Sequence, residues 1–556
     1  MSRGGALTID RMGESALLVT LGRGISPRVN DAVHAMADSL RQLKLEGVLD
    51  IVPAYASLLI TFNDSAIGEE ELAEHIHRAV TYTSHGTDVL PRRHTIPVVY
   101  GGEHGPDLES LAASHRLNVS ELVRRHTSRS YRVYFLGFMP GFAYLGGLDP
   151  TITAPRLDSP RARVPQGSVG IAGEQTGIYP LSSPGGWQII GRTGVELWDV
   201  ENDPPALLAP RDEVQFVASH TLAVSSGTAS DKATVWESGA APVFSVEAPG
   251  VLTTIQDYGR AGYAHLGLST GGGMDAMSLE VANRLVGNPA SAAALEITWS
   301  GPTLRACATT VISLAGSDLG CHVDRVPVPC GISWLVRAGS EVRFTARAAH
   351  TGARSYLAVA GGLSVPPVLG SRSTYLPGGF GGYSGRQLRV GDTLYAHPLG
   401  KSPAELAGKI APVSEVPSLA VTTLRFVPYR GEGSVAGRQL EEASALTYEV
   451  GAASDRMGVR LLPEPEGVLA WTGAELTSFG VPRGAIQLPP GGSPVVLGAD
   501  HQTTGGYPVL GVVIRADWPL LAQLRPGAKV RLQPVSLEEA KAARVNGLYG
   551  GRVAER

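Results

Sequence analysis

The chain has 556 residues, 43% apolar and 18% charged, with a net charge of −4 from 47 basic and 51 acidic side chains. That length predicts about three to five domains, each large enough to bury a core. No basic excess, no block of like charges and no stretch near ~18 apolar residues is present, which argues against nucleic-acid binding and against a membrane span.

Gly (69) and Pro (39) together approach a fifth of the chain. That is short of low complexity but rich in turns, so a mainly β protein with α+β parts is expected. Met1 to Gly5 leads into strand sequence with no signal-peptide pattern. The cysteines Cys307, Cys321 and Cys330 are sparse and odd in number. They read as buried thiols in a reduced, cytoplasmic setting. Their spacing matches no zinc knuckle, so no metal is expected.

In chain order, residues 1–90 read as a small α+β sandwich. Strands at Ala6–Ile9 and Ala16–Val19 flank a turn at Met12-Gly13-Glu14. Pro27 opens a helix with Val29, Val33, Met36, Leu40 and Leu43 on one face, stopped by Gly47. Val48–Val52 and Ser57–Phe62 read as a hairpin, and Leu72, Ile76 and Val80 mark a second helix. Residues 91–220 begin with a strand at Ile96–Val99. Helical stretches follow near Asp107–Ser114 and Val119–His126. Short strands beyond Tyr131 suggest a barrel. A linker is expected over 221–242, around Ser225–Lys232. A β-rich subdomain follows over 243–400, a second barrel over 401–540 and a tail over 541–556.

An internal repeat supports two related barrels. Val164-Pro165-Gln166-Gly167-Ser168-Val169 resembles Val481-Pro482-Arg483-Gly484-Ala485-Ile486. Gln175-Thr176-Gly177 and Gly185–Gly191 resemble Gln502-Thr503-Thr504 and Gly505–Gly511.

Two familiar motifs fail. Leu399-Gly400-Lys401-Ser402 ends like a phosphate-binding P-loop, but Tyr395 replaces the first glycine. Gly267-Leu268-Ser269-Thr270-Gly271 has nucleophile-elbow spacing, yet Gly272-Gly273 delay the helix that should follow. A loop and helix N-terminus facing an anion fits better, with Asp275 as N-cap and Gly287 as the stop. Arg161, Arg163, Arg192, Arg260, Arg372 and Arg456 sit in turn-dense sequence. Each suits a bidentate contact to a carboxylate or phosphate, or a structural hold on loop carbonyls. Gln166, Gln175, Gln256, Gln487 and Gln502 recur beside glycines. They suit recognition of an amide or lactam, or serve as loop scaffolding. Asp500-His501 could supply a base and a relay, or an Asx-turn with an exposed His.

Gly137–Leu148 and Val164–Thr193 resemble the B subunit of 5-oxoprolinase, the Kip inhibitor type. Thr253–Arg260, Ala282–Asn288, Gly370–Thr374 and Asp500–Tyr507 resemble the C subunit of the same enzyme, and both resemble the carboxyltransferase region of urea amidolyase. The resemblance implies cyclophilin-like β-barrels and a fusion of the B and C components. It implies ATP-dependent opening of 5-oxoproline to glutamate with a separate A component of 5-oxoprolinase. It also implies two other readings: carboxyl transfer to urea or a similar amide from a biotinylated partner, or regulation of a histidine kinase. A homo-oligomer is compatible with all three. His501 stands where the family motif has Arg, and Ser269–Met274 carries a triple glycine in place of Ser-Gly-Ala-Met.

The candidate site follows. Arg163, Gln166 and Gln175 are expected on one concave face of the first barrel. Arg260 and Asp275 are expected in one cluster, and Arg456, Gln487, Asp500 and Gln502 in another. Arg163 or Arg456 would bind a substrate carboxylate or phosphate, the glutamines would orient an amide, and Asp500 would be the base.

Overall fold

The computed structural model describes residues 7–82, 91–157, 159, 161–222, 236–345, 352–411, 421–435, 437–464, 469 and 476–545. The expected linker core, Ser225–Lys232, lies outside them. Strands Thr8–Arg11, Ala16–Thr20, Ser57–Phe62 and Val48–Pro53 lie side by side in that order. Helix Pro27–Gln42 starts where Ser26 Oγ accepts from Val29 N, with proline in its first turn. The helix ends before Gly47, because Lys44 already takes the left-handed conformation at φ 46°. Leu43 therefore falls past the last turn and is 50% exposed, unlike buried Val33, Met36 and Leu40.

The alternation along these strands places both sheet faces. Leu17, Val19, Leu58 and Ile60 pack on the two helices, the second being Glu69–Tyr82. Leu18, Leu59 and Val52 pack instead on Phe479, Val481, Val509 and Val512 from the other end of the chain. A Cβ on Gly13 would sit 2.7 Å from Val512 Cβ, so that turn needs glycine to dock. The first and last parts of the chain thus share a core.

Two closed barrels carry the repeat. The first runs, neighbour to neighbour, through Arg93–Tyr100, Gln188–Arg192, Ser168–Ala172, Gln175–Ile178, Ala143–Gly146, Ser130–Leu136 and Glu213–Ala218. The second runs through Thr422–Pro428, Val509–Val513, Ala485–Gln487, Val495–Leu497, Gly458–Glu464, Thr447–Val450 and Lys529–Pro534. In both, the first and last strands pair in parallel and close the barrel. Gly167 and Gly484 take φ 81° and 83° at matching turns, each accepting a backbone bond of 2.8 Å, from Thr193 and Val513. The Tyr131 hydroxyl donates to the His126 carbonyl, and Tyr448 repeats this to Ala443, both at 2.7 Å.

One alignment detail is corrected. Gln175–Ile178 corresponds in barrel order to Val495–Leu497, so Gln175 is not the counterpart of Gln502. Gln502 instead leads into the short pair Phe479–Gly480 with Thr504–Gly505, which matches Arg161–Val164 with Ser183–Gly185.

Between the barrels lie a six-stranded sheet that includes Ala241–Ala248 and a five-stranded sheet that includes Leu252–Gln256, Ala294–Thr298 and Arg354–Val359. Their facing sides share Phe244, Leu295, Ile297, Leu304 and Leu357. Helix Ala276–Leu285 covers the outer face of the second sheet through Leu279 and Ala282. Only Cys321 of the three thiols is buried; Cys307 is exposed and Cys330 intermediate, which corrects the expectation. Burial of Cys321 raises its pKa well above the usual thiol range.

Candidate functional site

Loops from three distant segments meet beside the second barrel. Phe138 N donates to Thr504 Oγ1 at 3.0 Å, and Gly141 N donates to the Leu266 carbonyl at 2.9 Å. A Cβ on Gly267 would lie 2.1 Å from the Met139 carbonyl oxygen, and one on Gly137 would lie 2.2 Å from Thr504 Oγ1. Glycine at both positions lets loops from the two halves of the chain touch.

At the centre sits Arg456, 5% exposed. Its Nε and Nη2 donate to Asp500 at 2.7 and 3.0 Å. Its Nη1 donates to Glu296 at 2.5 Å, and Nη2 also reaches the Gly272 carbonyl at 2.6 Å. Burial opposes this charge, but Asp500 and Glu296 outweigh it and hold the guanidinium protonated beyond its ordinary range. Glu296 also accepts from Tyr356 Oη at 2.6 Å and Met274 N at 2.8 Å. Burial pushes its carboxyl up, yet Arg456 and Arg354 bring it below the usual carboxylate range. Arg456 therefore spends its fork inside the protein. That corrects its expected role as a contact to a substrate carboxylate.

Asp275 caps its helix, with Ser278 N and Oγ donating to it at 3.0 and 2.6 Å. Burial raises its pKa. The anions at this glycine-rich turn are thus the chain's own Asp275 and Glu296. Arg260 does not join Asp275. Its Nη2 and Nε donate to the carbonyls of Ser373 and Val368, and Phe380 lies under the guanidinium at 5.2 Å. Burial lowers the Arg260 pKa, against Asp257 and Asp500. Among the described residues its Nη1 is buried with no partner, as are Ser269 Oγ, Thr503 Oγ1 and Gln487 Nε2.

Gln502 Nε2 donates to Gln487 Oε1 at 3.0 Å, so these two do cluster near Asp500. His501 is partly buried rather than exposed; its Nδ1 lies 2.7 Å from the Gln502 carbonyl, and burial lowers its pKa to about 4. In the first barrel the expected face does not form through contacts. Among the described residues, Arg163 is exposed and donates to Ser182, Gln166 lends only its carbonyl to Arg192, and Gln175 Oε1 is buried without a partner. Arg161 pairs with Asp107 at 2.6 Å, and Arg372 with Glu237 at 2.6 Å, both structural uses.

Two acids escape sequence reasoning. Glu296 lies in Ala-Leu-Glu-Ile-Thr, a strand buried at all five positions. A carboxylate there requires a cation, and that is the available signal. Asp257 accepts from Gly259 N, Arg372 N and the hydroxyls of Ser371 and Ser373 at 2.5–2.7 Å. It therefore ties Thr253–Arg260 to Gly370–Thr374 and holds Arg260 in place. Asp257→Asn should cost about 1.5–3 kcal/mol, since one charged acceptor is halved. A lowered thermal midpoint with faster amide exchange at 257–260 and 371–374 checks this; an unchanged midpoint refutes it.

Asp500 and Arg456 also line a cleft of about 240 Å³ with Leu252, Trp299, Leu376 and Pro377. Among the described residues no cluster of three or more metal-ligating side chains occurs, and no helix is long and apolar enough to cross a membrane.

This arrangement is that of a carboxyltransferase-domain protein. Residues 7–208 match the carboxyltransferase domain, subdomains C and D, and residues 266–534 match subdomains A and B. The first part is 40% identical to the 5-oxoprolinase B subunit of Bacillus subtilis, over 38% of this chain and 91% of that protein. The second is 38% identical to the 5-oxoprolinase C subunit of Escherichia coli, over 53% of this chain and 92% of that protein. The crystal structure of TTHA0988 is 35% identical, with a TM-score of 0.80 over 93% of this chain and 99% of that one. The urea amidolyase of Lachancea kluyveri is 31% identical over 56% of this chain, which spans only 18% of that protein. The chain belongs to the family of the B and C subunits of 5-oxoprolinase, with both fused in one polypeptide.

Proposed function

We propose that the chain is the B and C component of an ATP-dependent 5-oxoprolinase, opening 5-oxoproline to glutamate with a separate partner of the A type. The observation that carries this is convergence. The loop at Gly137–Gly141, from the B-like half, meets Leu266–Gly267 and Thr504, from the C-like half, at one junction. A site built from both halves explains why both belong to one component.

Within it, Arg456 fixes the plane of the Asp500 carboxylate. Buried donors on Arg260, Gln487 and Thr503 can hold an amide while the surrounding loops exclude water. The chain's own residues do not fit a nucleotide cradle at the P-loop-like segment. Ser402 Oγ donates to Glu405 in a capping box on the four-residue helix Pro403–Leu406. Nucleotide binding is therefore not placed at this segment.

The test is reconstitution. The full chain alone should form little glutamate, and addition of an A-type 5-oxoprolinase component should confer ATP-dependent turnover. Arg456→Lys and Asp500→Asn should each lower that turnover by about tenfold or more, provided both fold. Robust turnover by the chain alone would defeat the partner requirement. Full turnover in both variants would move the site elsewhere. The urea amidolyase likeness supports a second reading, carboxyl transfer to an amide. It requires a biotinylated partner, which a streptavidin blot of co-purified proteins would reveal.

A further inference from the structure

The atoms available to a ligand at this junction are those left after the internal bonds are made. Arg456 is committed to Asp500, Glu296 and Gly272. Arg260, 2% exposed, has Nη1 without a partner among the described residues. Gly271, at φ 66°, faces it. A Cβ at Gly271 would meet Asp500 Oδ1 at 3.4 Å and Arg260 Nη1 at 3.6 Å, with no third atom of the described residues, chain neighbours aside, within 4 Å. One buried donor and one buried acceptor thus border a single small space, kept open by a missing side chain. Asp500 also lines the adjoining cleft, whose other walls include Leu252, Trp299, Leu376 and Pro377.

Resting on the reading above and extending it, we propose that Arg260 and Asp500 bind the edge of a cis amide. The ligand carbonyl accepts from Arg260 Nη1, and the ligand N–H donates to Asp500 Oδ1. Oδ1 already accepts from Arg456 Nη2 at 3.0 Å, and a carboxylate oxygen has a second lone pair for the ligand. A carboxylate or phosphate offers acceptors only and would face the charge of Asp500. A trans secondary amide points its N–H and carbonyl to opposite sides. A lactam or cyclic urea holds both on one side and matches the pair. The hydrocarbon part of a lactam ring suits the apolar walls of the cleft. Arg456 acts through Asp500 and is a positioning residue.

The experiment is calorimetric binding to the full chain, with 5-oxoproline, its N-methyl derivative and 2-imidazolidinone as probes, for wild type and Arg260→Lys. N-methylation should weaken 5-oxoproline binding by about tenfold or more, as expected for a lost bond to a charged group. Arg260→Lys should weaken it similarly, through the carbonyl contact that the N-methyl compound shares. The N-methyl comparison needs no variant and so survives a folding defect in Arg260→Lys. Equal affinity for the methylated probe, unchanged affinity in a folded Arg260→Lys, or no binding of either unmethylated cis amide overturns the proposal. Glutamate formation with the partner is scored separately. Arg260-dependent binding of 2-imidazolidinone without any 5-oxoproline turnover supports this site and refutes the proposed reaction. Normal turnover with folded Arg260→Lys does the reverse.

Discussion

Arg456→Ala is expected to destabilise the junction by about 3–5 kcal/mol, the cost of removing one partner from a buried ion-pair network. The substitution deletes hydrogen bonds to Asp500, Glu296 and the Gly272 carbonyl together. Asp500, 1% exposed, loses the fork that holds both of its oxygens. Glu296 keeps Tyr356 and Met274 N, but its other cation, Arg354, stands 3.8 Å away. Two carboxylates are then buried with little to compensate them, which is the source of the loss. Arg456→Lys keeps the charge and loses the planar fork, so a smaller loss is expected. Adding Asp500→Asn to Arg456→Ala should recover part of the stability, because one of the stranded charges is removed. Calorimetric unfolding with amide exchange over 456–460 and 495–513 checks this. A midpoint within about a degree of wild type would show that water already reaches the cluster.

The barrels are legible in the sequence because their signals are local and repeated. Val-Pro-x-Gly marks the same glycine turn in each, and Gly-Gly marks the same short strand pair. Asp275 as a helix cap and the delayed helix after Ser269 are legible for the same reason. The partner of each arginine is not. Arg161, Arg163, Arg260, Arg372 and Arg456 look alike in sequence, each flanked by turn residues. Which of them keeps a free donor depends on contacts as distant as Glu296 from Arg456 and Ser373 from Arg260. The docking of Leu18 and Leu59 on the second barrel is hidden as well. A strand buried on both faces does not announce what covers its second face.

Acid should weaken the fold through histidines buried in the neutral state. Burial lowers the pKa of His126 to about 3 and of His34 to about 4. At His126 the hydrogen bonds suit the neutral ring, whereas at His34 burial outweighs a hydrogen bond that favours the proton. Thr176 Oγ1 donates to the Gly170 carbonyl at 2.9 Å, so it accepts from His126 Nε2–H at 3.0 Å. The remaining nitrogen, Nδ1, accepts from the Tyr100 hydroxyl at 2.8 Å. A proton on Nδ1 would leave the Tyr100 hydroxyl hydrogen without its acceptor inside the first barrel. His34 Nε2 donates to the Tyr134 carbonyl at 2.6 Å, between the first sheet and the barrel. An unfolded histidine takes its proton near pH ~6.5. Between that pH and the lowered values, the unfolded chain binds protons that the folded chain refuses, so stability falls as pH falls. Each histidine removes about 1.4 kcal/mol per pH unit over that window. Asp50 works in the opposite direction. Burial raises it to about 6, so below pH 6 the folded state holds a proton the unfolded state lacks, until the unfolded carboxyl also titrates. His501 and His265, each lowered to about 4 mainly by burial, act in the same direction, so one carboxyl offsets roughly one of four histidines over part of the window and a net loss of stability remains between pH ~6.5 and ~4.5. The thermal midpoint measured at half-unit steps across that range should fall steadily. His126→Gln removes one titrating group, and its midpoint should depend less steeply on pH than that of wild type, whatever its absolute value. Identical slopes for the two proteins would mean that His126 is protonated in the fold, and that the Tyr100–His126–Thr176 chain does not hold it neutral.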